Sequence, residues 1–198
     1  DAADCGLFYP LLTGGEPFLH PEFSEILTGM QKMGLQVSIN SNGTLIDREW
    51  AKFLSKNCPT RINITLYGAS EETYQNLCGN GAVFGKVRNA VQYLKEYGIP
   101  VKFNASITPD NVQDLEKMVL YAREQNSPIQ VATYMFPPVR RDDSMVGQNA
   151  RLSPEKAALV RVTADYLQTN PDWFVAQAKR FQSFVPLEQK PWKQGEPR

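Results

Sequence analysis

Short strand-like runs alternate with helical patterns along this chain, and that alternation most constrains what it can fold into. Strand-like runs begin near residues 7, 36, 61, 101 and 129, so successive starts lie 25 to 40 residues apart. That interval holds one strand, a turn, a helix and the return. Parallel strands need such crossovers, so the pattern predicts an α/β fold: a parallel sheet with outer helices. Between the strands the helical signals are specific. Phe23, Ile26, Leu27 and Met30 share one face between Pro21 and Met33, and Gly34 closes that helix. Asp47 caps the next, with Trp50, Phe53 and Leu54 inward. Ser70 before Glu71 and Glu72 starts a third; Val87, Ala90, Val91 and Leu94 mark a fourth, from Phe84 to Tyr97. Val112, Leu115, Val119 and Ala122 mark a fifth.

The rhythm changes after the strand Ile129 to Met135, which ends at Phe136-Pro137-Pro138. A charged loop, Val139 to Asp143, follows. Ser153-Pro154-Glu155 then starts a helix that runs to about Leu167. From Asn170 onward, Pro171, Pro186, Pro191 and Pro197 are expected to interrupt every pattern. The expected division is a core over 1–138, a helical extension over 139–188, and a tail or linker over 189–198.

The chain has 198 residues, enough to bury a proper core. With 21 basic and 21 acidic residues it carries no formal net charge, which argues against a nucleic-acid partner. No apolar run is long enough to span a membrane. Cys5, Cys58 and Cys78 are sparse, odd in number and without metal-site spacing; they point to a reducing, cytoplasmic setting and, alone, to no metal site. The lone histidine, His20, reads as a helix-entry residue.

The chemistry gathers at the strand exits. Leu11-Leu12-Thr13-Gly14-Gly15-Glu16-Pro17 carries an apolar run into a turn and then a helix. In open α/β sheets and barrels, ligands sit at such carboxyl ends. Gly14 and Gly15 let backbone approach a ligand, Glu16 supplies a carboxylate, and Pro17 stiffens the exit. That set suits a small zwitterion, such as the amino-acid end of a cofactor; a plain strand-to-helix turn with a solvated Glu is the alternative. Ser41-Asn42-Gly43 follows the second strand, Thr65 ends the third, and Ser106-Ile107-Thr108 follows the fourth. Each taken singly is also ordinary turn chemistry. Gly79 to Gly85 is glycine-rich, but its third glycine is one place late and no strand precedes it, so it is no dinucleotide fingerprint. Tyr134, Phe136 and Arg140 could face a substrate, with core packing or a solvated loop as the alternative.

Thr-Gly-Gly-Glu-Pro after one strand, Ser-Asn-Gly-Thr after the next and Ile-Thr-Leu-Tyr-Gly on the third together resemble the radical SAM (S-adenosylmethionine) superfamily. The resemblance covers about residues 1–138 and is strongest to the branch with SPASM or twitch extensions, many of whose members modify peptides. It implies a partial (β/α) barrel. It implies that Gly14, Gly15 and Glu16, with Pro17, hold the methionyl amino end of S-adenosylmethionine. Ser41, Asn42 and Thr65 would meet its carboxylate and ribose, and Ile107 its adenine. The implied chemistry passes one electron from a [4Fe–4S] cluster into the sulfonium, and the 5′-deoxyadenosyl radical released abstracts a substrate hydrogen.

The departures are equally specific. Nothing matches the family's Cys-x3-Cys-x2-Cys loop, and Asp1 to Asp4 looks like the end of the helix that follows it. Tyr67 stands where the branch often has Asp. The expectation is therefore a core fragment whose first βα unit is missing, inactive alone, with the cluster confined to a full-length parent. An exposed edge on the first strand would favour dimerisation. Two alternatives are a non-catalytic module that binds S-adenosylmethionine or a peptide, and an unrelated α/β-barrel lyase using Glu16 as acid/base. The lyase would need a Lys or His at another strand mouth, yet Lys102 opens its strand and His20 lies off the sheet.

Overall fold

The computed structural model describes residues 2–133 and 151–182. Five strands form one sheet: β1 (Leu11–Leu12), β2 (Ser38–Ser41), β3 (Arg61–Thr65), β4 (Val101–Ser106) and β5 (Ile129–Ala132). Every neighbouring pair is parallel, and the strand order is that of the sequence. The helices between them are α1 (Phe23–Lys32), α2 (Arg48–Lys56), α3 (Glu71–Cys78), α4 (Val83–Glu96) and α5 (Leu115–Glu124). Right-handed crossovers made always to the next strand place all helices on one face of the sheet, which is how a (β/α) barrel grows. The expected partial barrel is what is found.

Strand burial shows the two faces. Ile39, Ile62, Ile64, Val101, Phe103, Ala105, Ile129 and Val131 are buried and belong to one continuous core with Leu27, Leu54, Val91, Leu94 and Met118 of the helices. Register pairs Ile39 with Ile62, Ile62 with Val101, and Phe103 with Ile129, so the apolar side chains share one face. The alternate positions are polar: Ser38, Asn40, Asn63, Thr65, Lys102, Asn104 and Gln130. A parallel sheet covered by helices on both faces would be apolar at every position. Here the second face is the barrel interior, and it is lined with amides and hydroxyls.

The helix starts follow the sequence reading. Asp47 accepts from Trp50 N–H at 2.8 Å, Ser70 from Thr73 N–H at 3.2 Å, and Ser153 from Lys156 N–H at 3.3 Å. Two expectations need correction. The first strand, expected from Leu7, is regular only at Leu11–Leu12, because Pro10 has no N–H to give the ladder. Its approach still runs beside β2, where Gln36 N–H donates to the Phe8 carbonyl and Ser38 N–H to that of Pro10. Pro171 does not interrupt a helix but opens one. After α6 (Pro154–Gln168) comes α7 (Pro171–Gln182), capped by Asn170, whose side-chain oxygen accepts from Asp172 N–H at 2.8 Å. The core takes in Leu152, and Val160 and Ala164 of α6. Arg161 donates to the Val131 carbonyl of β5 at 3.3 Å. The expected charged loop, the Tyr134, Phe136 and Arg140 candidates, the end of the fifth strand and the tail lie outside the described residues. Among the described residues, no helix is long and apolar enough to cross a membrane.

Candidate functional site

The exits of β1 and β2 are tied together by one carboxylate. Glu16 Oε1 accepts from the Ser41 hydroxyl at 2.8 Å and from Phe18 N–H at 3.3 Å; Oε2 accepts from Asn42 N–H at 2.7 Å. Parallel pairing of β1 with β2 brings both turns to the same rim, so residues 25 and 26 positions apart in sequence share a side chain. Ser41 is buried and also accepts from Gly43 N–H at 3.0 Å. Asn42 closes its own turn, its side-chain oxygen accepting from Thr44 N–H and the Thr44 hydroxyl. Pro17 starts a short 3₁₀ turn, Pro17–Leu19, and Phe18 packs on Phe23 and Trp50 with ring centroids 4.6 and 5.1 Å apart. His20 accepts from Glu22 N–H through Nδ1, which is helix-entry work.

Gly14 and Gly15 lie open above this clasp. Gly14 has φ +154°, a conformation that side chains disfavour. Gly15 has no such angle, and a Cβ built on either residue meets nothing within 4 Å. Neither backbone strain nor packing within the described chain accounts for Gly15.

The exits of β3 and β4 are tied by a second acid that the sequence reading missed. Asp114 is 2% exposed; its Oδ2 accepts from Ala69 N–H and the Ser70 hydroxyl, both at 3.0 Å. Burial pushes the Asp114 carboxyl upward. Hydrogen bonds from Thr73, Ala69 N–H and Ser70, with the nearby Lys117 ammonium, outweigh that and hold it below the ordinary carboxylate range. Beside it, Asn111 donates to the carbonyls of Tyr67 at 2.8 Å and Ser106 at 3.0 Å, and accepts from Thr108 N–H at 2.8 Å. Gly68 is fixed by closeness: a Cβ there would sit 2.5 Å from Thr73 Cγ2. The available signal was an Asn and an Asp just before α5, next to a turn that needs its amides satisfied. Tyr67 is 41% exposed; burial of part of its ring, then the Cys78 and Glu16 charges, raise its hydroxyl's pKa.

The structure thus brings Gly14, Gly15, Glu16, Pro17, Ser41 and Asn42 together. Thr65 ends β3 on the interior face, in register with Asn104. Ile107 differs from the rest. It continues the Val101, Phe103, Ala105 side of β4, has no exposed surface, and packs in the helix-facing core. It offers a ligand nothing in this conformation.

Against known families, the Radical SAM superfamily description matches residues 3–122. The chain is 26% identical over 144 residues to the AdoMet-dependent heme synthase of Methanosarcina barkeri, covering 73% of this chain and 41% of that protein. It is 32% identical over 120 residues to the probable GTP 3′,8-cyclase of Saccharolobus islandicus, covering 60% and 38%. Among solved structures, native anSMEcpe with bound AdoMet and Cp18Cys peptide superposes with a TM-score of 0.64 at 26% identity, covering 80% of this chain and 46% of that one. The chain spans about two fifths of the length of these curated relatives.

Proposed function

The chain belongs to the radical SAM superfamily, and from that premise we propose that its strand mouth binds S-adenosylmethionine for reductive cleavage and hydrogen abstraction from a substrate. The observation that carries this reading is the open glycine shelf held over the Glu16 clasp. Gly14 and Gly15 leave backbone groups uncovered, and Glu16 fixes the neighbouring turn so that Asn42 stands beside them. Bare N–H and C=O groups suit the ammonium and carboxylate of an amino acid. The Asn42 amide nitrogen and the Thr65 hydroxyl are the side-chain groups left to meet the carboxylate and ribose. Ser41 orients Glu16 rather than the ligand, since its hydroxyl already donates to one group and accepts from another. When bound, the cofactor would supply the 5′-deoxyadenosyl group for hydrogen abstraction, given one electron from the family's [4Fe–4S] cluster; this chain's residues would hold it and keep the two turns aligned.

The described residues do not fit the family's iron–sulfur cluster. No three His, Cys, Asp or Glu side chains among them converge on one point, and Cys5, Cys58 and Cys78 are separate and exposed. Anaerobic reconstitution of this chain alone is expected to leave it without iron and without activity. Use of Glu16 as a lyase's acid or base is disfavoured by the clasp itself, because both oxygens already accept hydrogen bonds.

Gly15→Val tests the shelf. Calorimetry should show S-adenosylmethionine binding weakened at least about tenfold by a side chain in the ligand's space. The melting temperature should stay within about 2 °C, because a Cβ at Gly15 meets no atom within 4 Å and the backbone there is not strained. Unchanged affinity would remove the cofactor from this shelf.

The sheet's first edge supports a proposal about assembly. Among the described residues only β2 pairs with β1, and Phe8, Tyr9 and Leu11 are 50%, 71% and 49% exposed beside it. Such an edge recruits another strand. Size-exclusion chromatography of the 22.3 kDa chain is expected to give a dimer or larger species; a monomer at all concentrations rules this out.

A further inference from the structure

The barrel interior carries an unmet demand that the strand mouth does not use. On the face turned from the helices, Asn63 donates through Nδ2 to Asn40 Oδ1 at 2.7 Å. Its own oxygen, in a residue 5% exposed, accepts from nothing among the described residues; neither does the buried Oδ1 of Asn104 on the next strand. Register sets Asn63 beside Lys102 and Asn104 beside Thr65, so the two oxygens belong to adjacent steps of one interior stripe. An acceptor buried without a donor carries its full desolvation cost, and native chains keep such costs mainly where a ligand relieves them.

The charges around the stripe select the ligand. Lys102 is committed to the Gln130 side-chain oxygen, Arg61 lies farther down the same face, and none of the inward residues of β2 to β5 is acidic. A buried cation would find two cations and no counter-charge. An anion would set its lone pairs against two acceptor oxygens. A neutral group bearing N–H donors satisfies both oxygens without burying a charge. We propose that Asn63 and Asn104 form an acceptor pair that takes the N–H groups of a neutral amide of the substrate, a peptide unit or a carboxamide. The inference rests on the cofactor occupying the adjacent mouth, since Thr65 of that mouth and Asn104 are register partners on the same interior face.

The test uses the protein labelled with ¹⁵N-asparagine and N-acetylglycinamide as the probe, with acetate as control. The side-chain resonances of Asn63 and Asn104, identified through Asn63→Leu and Asn104→Leu, should move saturably with the amide and stay still with acetate. Asn104→Leu should weaken the probe at least about tenfold. It should also raise the melting temperature by about 2 to 4 °C, because an unpaired acceptor has been removed. S-adenosylmethionine should still bind that variant, because the proposal assigns Asn104 to the substrate and not to the cofactor. Equal shifts with acetate, probe binding that survives Asn104→Leu, or a lower melting temperature in that variant would each overturn the proposal. Loss of S-adenosylmethionine binding in Asn104→Leu would assign the acceptors to the cofactor, ending this inference and leaving the mouth reading intact. Binding of the amide without any binding of S-adenosylmethionine would end the mouth reading and, with it, the assignment of the amide to a radical substrate, leaving only an amide-binding acceptor pair.

Discussion

Glu16→Ala is expected to weaken S-adenosylmethionine binding about 100-fold, measured by calorimetry on a variant that circular dichroism shows to be folded. The alanine removes the acceptor for the Ser41 hydroxyl, Phe18 N–H and Asn42 N–H at once. Hydrogen bonds to a charged acceptor are worth about 1.5–3 kcal/mol each. Much of that loss falls on the order of two turns at the rim. If about 2.8 kcal/mol of ordering must then come from the ligand, affinity falls by two factors of ten. Glu16→Gln should be intermediate. Its oxygen can still serve Ser41 and Phe18, but its amide nitrogen faces the Asn42 N–H. Wild-type affinity in Glu16→Ala would mean that the ligand neither needs nor meets this clasp.

Asp114→Ala is expected to lower stability by about 3 kcal/mol, or about 6 to 12 °C in melting temperature for a chain of this length. It strands a backbone N–H at Ala69 and takes from the Ser70 hydroxyl its charged acceptor, leaving it only Thr73, where the lost carboxylate was 2% exposed. The effect is pH-dependent, and its sign follows from the direction of the pKa shift. The folded carboxyl titrates below its ordinary value, so the ionised form is favoured by folding. Its contribution is fully present above the unfolded pKa of about 3.9 and is lost as pH falls through the lower, folded value. Denaturation of parent and variant should therefore differ most near neutrality and converge below about pH 4. A constant difference down to pH 2 would show that packing, not charge, makes Asp114 important.

The sheet and most helices were legible because their signals are local. Asp47, Ser70 and Ser153 cap where they read as caps, and Val87, Ala90, Val91 and Leu94 face inward at helical spacing. The rim was legible because glycine, carboxylate and hydroxyl fell at strand exits. What stayed hidden depends on which face a residue takes. The alternation Ile62-Asn63-Ile64-Thr65 and Phe103-Asn104-Ala105-Ser106 carries the interior stripe, but attention to strand ends passes over it. Ile107 follows the same period and belongs with the apolar set, which is why it lies in the core instead of at the mouth. Proline misled twice, in opposite ways. Pro10 shortens a strand that looked continuous, and Pro171 begins a helix where an interruption was expected.

Because strand order in the sheet repeats the order along the chain, each hydrogen-bonded pairing closes a span of only a few tens of residues. Among the described residues, no strand waits for a distant partner before it can dock. The sheet can be laid down rung by rung as the polypeptide leaves the ribosome, each new βα unit settling on the one before it. The Glu16–Ser41 latch can therefore close once β2 has emerged, long before the last helices are synthesised.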